Sequence, residues 1–383
     1  MRSTVFSLLL AGAALSLSPA FAADCTMEQL QVSPFSVIEP CTNYLLRSVS
    51  DSEKSQAHFV RARGYHRTKR FAEAHADYDE AFRLDPKNAE ILVDWSHLDI
   101  RMRHMQDYAK RVEQAYALDP NNAHVLRAVG GMFSTFGDDD RALAFYTKAL
   151  SLDPSEPYVL YFRALLHRDR RAFQEAIADA GALIALPRAI TDNYPYLDTD
   201  GAMLDLHAQA LVLRAELLEA TGEPQLARLD FDAAVATERT VRTLYKRGWF
   251  LSGIEERRNE AVADFEAAVA LDPKNDQAQY GLGMVLVRLK RFDDAFRAFD
   301  AAVKAHRTGF SLRMRARMHR EFKRTEEAAR DYEEAIAIDP QERQYAINAM
   351  QRAGYWPSRE LPRTSSQQLR DAVRACMIDI QCN

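Results

Sequence analysis

The sequence is constrained most by a short phrase that recurs at a fixed interval. An aliphatic residue, Asp and Pro end three successive segments, and the prolines stand at positions 86, 120 and 154, at equal spacing. The phrase returns at Leu271-Asp272-Pro273 and Ile338-Asp339-Pro340. Apolar residues at helical spacing fill the intervals, and proline ends a helix because it lacks an N–H and clashes with the preceding turn. This constant interval predicts stacked helical units, each burying an apolar face against its neighbours.

Small and aromatic residues occupy fixed places in each unit. The small residues of the five most regular units are Ala62, Gly130, Gly248, Gly283 and Ala316, and the aromatic residues of their second helices are Tyr78, Tyr146, Phe265, Phe299 and Tyr332. Repeats four and five are recognisable, and repeat two is degenerate, with Ser96 and Tyr108 at small-residue positions. This frame resembles the tetratricopeptide repeat (TPR) family over about residues 55–340. The resemblance implies an all-α, right-handed superhelical solenoid of about eight TPR helix pairs with helical caps at both ends.

A second pattern lies within the first. Five repeats carry Arg directly before the small residue of the first helix and Asp directly before the aromatic position of the second, at nearly constant spacing. Repeats two, three and seven lack both. This joint presence and absence predicts an Arg–Asp ion pair between the two helices of one repeat. The predicted pairs are Arg61 with Asp77, Arg163 with Asp179, Arg214 with Asp230, Arg247 with Asp264 and Arg315 with Asp331.

The two ends of the chain indicate secretion. Residues 1–22 have an early Arg2, a short apolar run and Ala20-Phe21-Ala22 at the expected cleavage flank, as in a signal peptide. The four cysteines, Cys25, Cys41, Cys376 and Cys382, all lie outside the repeats. An even number in a secreted chain favours disulfides, and of three connectivities the local pairs Cys25–Cys41 and Cys376–Cys382 are the most economical. We expect a secreted, periplasmic protein.

The segments around the repeats complete the domain organisation. Residues 23–54, with a helix near residues 42–48, resemble the disulfide-closed N-terminal cap of secreted bacterial TPR proteins. Repeats one to four cover residues 55–186, an insertion covers 187–202, repeats five to eight cover 203–340, and a C-terminal helical cap covers 341–383. In the insertion, Asp198-Thr199-Asp200-Gly201 resembles half a calcium loop without its closing Glu. We expect a turn there, with Asp200 as the N-cap of the next helix.

The C-terminal segment has a second resemblance. Its apolar positions and Ala353-Gly354-Tyr355-Trp356 are similar to the small peptidoglycan-binding domain, although the Gly- and Asp-rich loop of that family is missing. The resemblance implies contact with the cell wall, and a plain helical cap is the alternative.

Motifs of common enzymes are absent from the sequence. There is no G-x-S-x-G, H-E-x-x-H, Walker or G-x-G-x-x-G motif. The net charge of −5 argues against a dedicated nucleic-acid binder. We therefore expect no enzyme activity, cofactor, metal site, nucleic-acid partner or membrane span after signal removal. An enzyme with an unrecognised site near residues 187–202 remains a third hypothesis.

The first helices of TPR arrays line the concave face, which implies a partner groove. The residues expected to face it are Phe59, Arg63, Arg67, His97, Arg101, His124, Arg127, Tyr158, Tyr161 and Arg168. A guanidinium group can donate two hydrogen bonds to one carboxylate, so these residues predict capture of an acidic protein or peptide segment. Ordinary solvated helix faces in an arginine-rich chain are the alternative. The predicted function is a periplasmic protein-interaction scaffold, or alternatively an envelope protein that contacts peptidoglycan through its C-terminal segment.

Overall fold

The computed structural model describes residues 25–26, 36–191, 196–197, 203–352, 371–372 and 374–375. Helices dominate these ranges, which confirms the all-α repeat fold, and none of the described helices is long and apolar enough to cross a membrane. The chain divides into two compact units, residues 1–194 and 195–383. The predicted signal segment, Cys376 and Cys382 lie outside the described residues.

The first unit is a row of antiparallel helix pairs that follows a short helix, α1 (Ile38–Leu45). Each second helix packs against its own first helix and against the first helix of the next pair. The pairs are α2 (Asp51–Arg67) with α3 (Phe71–Leu84), α4 (Ala89–Met102) with α5 (Met105–Leu118), α6 (Ala123–Thr135) with α7 (Asp139–Leu152), and α8 (Pro157–Asp169) with α9 (Phe173–Ala185). A single turn, α10 (Arg188–Thr191), follows.

The second unit repeats this plan after a short strand pair, β1 (Tyr196–Leu197) and β2 (Met203–Leu204). Its pairs are α11 (Leu206–Ala220) with α12 (Pro224–Thr237), α13 (Val241–Ser252) with α14 (Arg258–Leu271), α15 (Asp276–Arg288) with α16 (Phe292–Ala305), and α17 (Gly309–Glu321) with α18 (Thr325–Ile338). A 3₁₀ turn, Glu255–Arg257, joins α13 to α14. The last described long helix, α19 (Pro340–Arg352), packs on α18.

The insertion contains a strand pair that was not predicted, and the residues of the expected turn, 198–201, lie outside the described residues. The antiparallel strands pair Tyr196 with Leu204 and Leu197 with Met203. The side chain of Asp205 accepts a 2.9 Å hydrogen bond from the Ala208 N–H and so caps α11. The N-cap is therefore Asp205, and the prediction of Asp200, which lies outside the described residues, is wrong. An Asp further along the chain satisfies the same unpaired N–H groups.

The N-terminal cap contains the predicted Cys25–Cys41 disulfide, with Cα atoms 4.8 Å apart. Both cysteines are fully buried with Tyr44 of α1 and with Val60 of α2. The helix α1 begins at Ile38, before the predicted position 42. It ends at Leu45, and the Ser50 hydroxyl then accepts a hydrogen bond from the Glu53 N–H and caps the start of α2.

One turn geometry joins the two helices in seven of the eight described pairs. A residue with positive φ ends the first helix, and the N–H of the next residue donates to the carbonyl five positions earlier, as in a Schellman turn. The positive-φ residues are Lys69, Arg103, Gly137, Arg171, Gly222, Lys290 and Lys323. We call this the helix–helix turn, and its constant geometry makes positions in different repeats directly comparable.

Close approach of the helices explains the small residues of the repeat frame. A Cβ added to Gly281 of α15 would lie 2.3 Å from Phe265 Cε1, and one added to Gly248 of α13 would lie 3.1 Å from Phe265 Cζ. The Phe265 ring is fully buried. Each aromatic residue thus fills the space between the first helices of its own and the next repeat.

All five predicted Arg–Asp pairs are in contact. In each, the guanidinium Nε and Nη2 donate to the two carboxylate oxygens over 2.6–2.8 Å, as a two-bond fork. The aspartates are only 5–7% exposed. The fork joins the first and second helix of one repeat, and we call it the Arg–Asp fork.

In four of these forks the third guanidinium nitrogen, Nη1, also donates a hydrogen bond to a side chain of the preceding helix. Arg247 Nη1 donates to Asp232 at 3.1 Å, and Arg315 Nη1 donates to Asp300 at 2.8 Å. The hydroxyls of Thr42 and Thr147 accept corresponding bonds from Arg61 at 2.9 Å and Arg163 at 3.3 Å. These arginines therefore join three helices, and the sequence pattern did not reveal the third.

Repeat two contains an inverted Arg–Asp pair with a single hydrogen bond in place of the fork. Arg111 stands on the second helix where other repeats have Asp, and it pairs with Asp99 of the first helix. Its guanidinium carbon lies 3.8 Å from the centroid of Trp95, which occupies the usual Arg position. The charges are exchanged between the helices, so a search for Arg before the small residue did not find this pair.

We expect Asp77→Ala to lower the free energy of unfolding by about 3 kcal/mol, because it leaves the Arg61 guanidinium buried without its carboxylate. Urea denaturation followed by circular dichroism measures the change. Glu80→Ala on the same helix is the matched control, since Glu80 pairs with Arg83 at the exposed surface and its loss should matter little. Equal effects of the two substitutions would contradict a structural role for the fork.

Candidate functional site

The first helices of the first unit, α2, α4, α6 and α8, lie side by side. Arg67 of α2 and Tyr158 of α8 are close enough to interact electrostatically although they belong to repeats one and four. The layer of first helices therefore curves inward within this unit. We call this curved face, with Arg63, Arg67, Arg101 and Arg127 on it, the arginine surface.

Two of these arginines are paired with carboxylates from the next repeat. Arg63 of α2 contacts Asp94 of α4, and Arg127 Nε of α6 lies 3.4 Å from Glu156 Oε1 at the start of α8. Burial opposes ionisation of Asp94, but the contact with Arg63 and the charge of Arg127 outweigh it and hold the pKa of Asp94 below its ordinary value. The sequence analysis missed Asp94 and Glu156, because each comes from the repeat that follows its arginine.

The remaining arginines add positive charge at the same surface. Arg67 and Arg101 lie at the carboxyl-terminal ends of α2 and α4 and are half-buried. Burial, together with the nearby charge of Arg63, lowers the pKa of Arg67, yet a guanidinium stays charged at neutral pH. The carboxylates recorded near these four arginines are Asp94, Glu156 and the more distant Glu90.

The histidines of this surface do not add charge. Burial, followed by the charge of Arg127, lowers the pKa of His97 to about 3. Burial also lowers the pKa of His66 to about 4. Both rings are therefore neutral at physiological pH, and the positive charge of the arginine surface comes from guanidinium groups.

Other predicted groove residues are placed differently. Phe59 and Tyr161 are each 2% exposed and belong to the core, so the expectation that they line an open groove is wrong. The Phe59 ring still supports the surface from beneath, because the Arg63 guanidinium carbon lies 4.5 Å from its centroid. Arg168 Nε donates to Asp169 at 2.9 Å, near the end of α8. His124 is partly buried near the start of α6.

The second unit has a different first-helix surface, made mainly of aromatic rings. Trp249 and Tyr280 have centroids 5.8 Å apart, and Tyr280 and Phe310 have centroids 4.5 Å apart. The Arg313 guanidinium lies 5.0 Å from the ring centroids of both Phe310 and Tyr345. This succession, which the sequence analysis did not single out, follows α13, α15, α17 and α19.

The fold and these two surfaces define a helical-repeat scaffold that presents fixed charges and ring faces for binding. Tetratricopeptide repeat models match residues 55–88, 129–156, 255–310 and 314–342. These segments are therefore tetratricopeptide repeats, and such repeats suggest a protein–protein interaction scaffold. The peptidoglycan-binding expectation depends on residues 341–383, of which the structure describes 341–352, 371–372 and 374–375; Ile347 and Met350 are buried there.

Three proteins of known name are similar to this chain. The BBSome complex member BBS4 of Bos taurus is 23% identical over 272 residues, which cover 68% of this chain and 47% of that protein. The chain spans less than half the length of the curated relatives that it matches. In the APC/C hetero-tetramer Cut9–Hcn1, the similar chain has a TM-score of 0.52 at 15% identity, covering 88% of this chain and 58% of that one. Yeast Tom70 has a TM-score of 0.50 at 18% identity, and the match covers 76% of this chain and 59% of that one. These structures show the fold alone.

Acidification should destabilise the first unit through His97. The native ring stays neutral down to about pH 3, whereas the ring in the unfolded chain takes up a proton near its ordinary pKa of about 6.5. Stability is therefore lost as the pH falls below about 6.5, by up to about 1.4 kcal/mol per pH unit and per ring. His97→Gln should flatten the dependence of unfolding free energy on pH between 6 and 4, and adding His66→Gln should flatten it further. An unchanged slope in both variants would contradict this account.

Proposed function

We propose that the protein is a periplasmic interaction scaffold that binds an acidic segment of a partner protein on the arginine surface of its first unit. The observation that carries the proposal is the convergence of Arg63, Arg67, Arg101 and Arg127 from three repeats on one curved face. Guanidinium groups bind carboxylates through paired, charge-assisted hydrogen bonds, which gives this surface its preference for acidic chains.

The two internal ion pairs prepare the surface for such a partner. Asp94 and Glu156 hold Arg63 and Arg127 in place between repeats, so these arginines are already ordered before binding. A fixed donor loses less conformational entropy when a ligand arrives than a mobile side chain does. Arg67 and Arg101 add further positive charge beside them, which attracts an acidic segment.

The periplasmic location is supported by two features of the N-terminus. The disulfide between Cys25 and Cys41 is of a kind that persists in oxidising compartments. Residues 1–22 have the pattern of a cleaved signal peptide. Fusion of an alkaline phosphatase reporter after residue 54, in cells of the source organism, tests export directly.

A labelled synthetic peptide rich in Asp and Glu, measured by fluorescence anisotropy, tests the ligand preference. We expect it to bind more tightly than a Lys-containing counterpart of equal length, and to weaken as salt rises because the contacts are ionic. Arg67→Gln combined with Arg101→Gln should weaken binding at least about tenfold, since each loses a charge-assisted hydrogen bond.

The matched control is Arg83→Gln combined with Arg141→Gln. These arginines lie on second helices of the same unit and are 64% and 63% exposed, so the net charge changes equally without altering the arginine surface. Binding in this variant should equal that of the unmodified chain. Equal loss in both variants, or equal binding of acidic and basic peptides, would contradict the proposed site.

A further inference from the structure

Repeat two places three metal-ligand side chains together at its helix–helix turn. Asp99 lies near the end of α4, His104 directly precedes α5, and Asp107 is in its first turn. One ligand atom from each of the three lies within 4.8 Å of the others. Asp99 is fully buried, while His104 and Asp107 are exposed and can rotate about their side-chain bonds.

The other repeats provide an internal comparison, because the helix–helix turn is the same. In repeat one the corresponding residues are Tyr65, Arg70 and Glu73, and Arg70 Nε donates to Glu73 at 2.9 Å. In repeat seven they are Leu286, Arg291 and Asp294, and Arg291 Nε donates a hydrogen bond to Asp294 at 2.8 Å. The chain thus supplies a guanidinium beside the first-turn carboxylate in those repeats.

Repeat two differs from repeats one and seven at two of these three positions. His104 stands in place of that arginine, and a carboxylate, Asp99, stands in place of the apolar Leu286 or the Tyr65 ring. Its turn therefore has one carboxylate more and one permanent positive charge fewer than the turn of repeat one or seven. This change gives the turn of repeat two a ligand set suited to an external cation.

A second observation points to a ligand at this turn. Asp99 Oδ2 contacts Arg111, but Asp99 Oδ1 is buried and has no hydrogen-bond partner among the described residues. A buried carboxylate oxygen without a partner is destabilising, because it has lost its contacts with water and gained none in return. A cation shared with His104 and Asp107 would satisfy it.

We propose that Asp99, His104 and Asp107 bind a divalent transition-metal ion, of which Zn²⁺ fits the donor set best. One imidazole and two carboxylates are ligands that Zn²⁺ accepts, and three protein ligands leave a fourth position for water. Arg111 holds the second oxygen of Asp99 and so orients this carboxylate, as outer partners of metal ligands commonly do. The site ties the end of α4 to the start of α5.

Isothermal titration of ZnCl₂ into the full chain, after removal of metals with a chelator, tests the proposal. We expect one ion per chain and a rise in melting temperature on binding, since a ligand of the native state stabilises it. His104→Gln and Asp107→Asn should each weaken Zn²⁺ binding at least about tenfold. Substitution by Co²⁺ should give visible absorption bands that disappear in the same variants.

Two further variants distinguish a built site from ordinary surface binding. His306→Gln removes another exposed histidine, whose Nδ1 lies 3.6 Å from Asp276 Oδ2. This variant should leave Zn²⁺ binding unchanged. His104→Arg introduces the guanidinium that repeat one has at this position, so the variant should fold without Zn²⁺ and no longer be stabilised by it. Absence of binding to the full chain, or equal binding by His104→Gln and the unmodified chain, would overturn the proposal.

Discussion

The buried Arg–Asp fork fixes how the helices are oriented in five of the eight repeats. A guanidinium has two edges that can donate at once, so a single arginine such as Arg247 holds Asp264 in its own repeat and Asp232 in the preceding one. Apolar contacts between helices are not directional, whereas this planar group fixes the rotation of three helices about their axes. In four of the five repeats an aromatic residue follows this Asp and can then enter the space left by the small residues of two first helices; in repeat four Ala180 stands there.

Much of the fold could be predicted because each repeat carries the same residue types at the same positions along the sequence. A proline at a regular interval, a small residue and an aromatic residue predicted the helix pairs, and the joint presence of Arg and Asp predicted which side chains meet. The strand pair β1–β2 and the cap Asp205 could not be predicted in this way. They lie in or next to the insertion. This segment interrupts the repeat period and has no counterpart in the other repeats with which it could be compared.

The candidate site was harder to predict, because its ion pairs join residues of different repeats. Arg63 and Arg127 were expected on the surface from their place in the frame, but their partners Asp94 and Glu156 belong to the repeats that follow them. Phe59 was assigned to the surface because it is near the small residue, yet its ring is buried in the core. Repeat two was judged degenerate, although its departures form an inverted Arg–Asp pair and the residues that we propose as metal ligands.

The third nitrogen of the arginine has a consequence for how such an array can evolve. Asp300 in repeat seven accepts from Arg315 in repeat eight, and Thr147 in repeat three accepts from Arg163 in repeat four. Each acceptor belongs to the neighbour of the residue that donates to it. Deletion, duplication or exchange of a single repeat would therefore separate a donor from its acceptor. The repeats share one plan, but their order is constrained, so recombination between copies should be tolerated less than substitution within them.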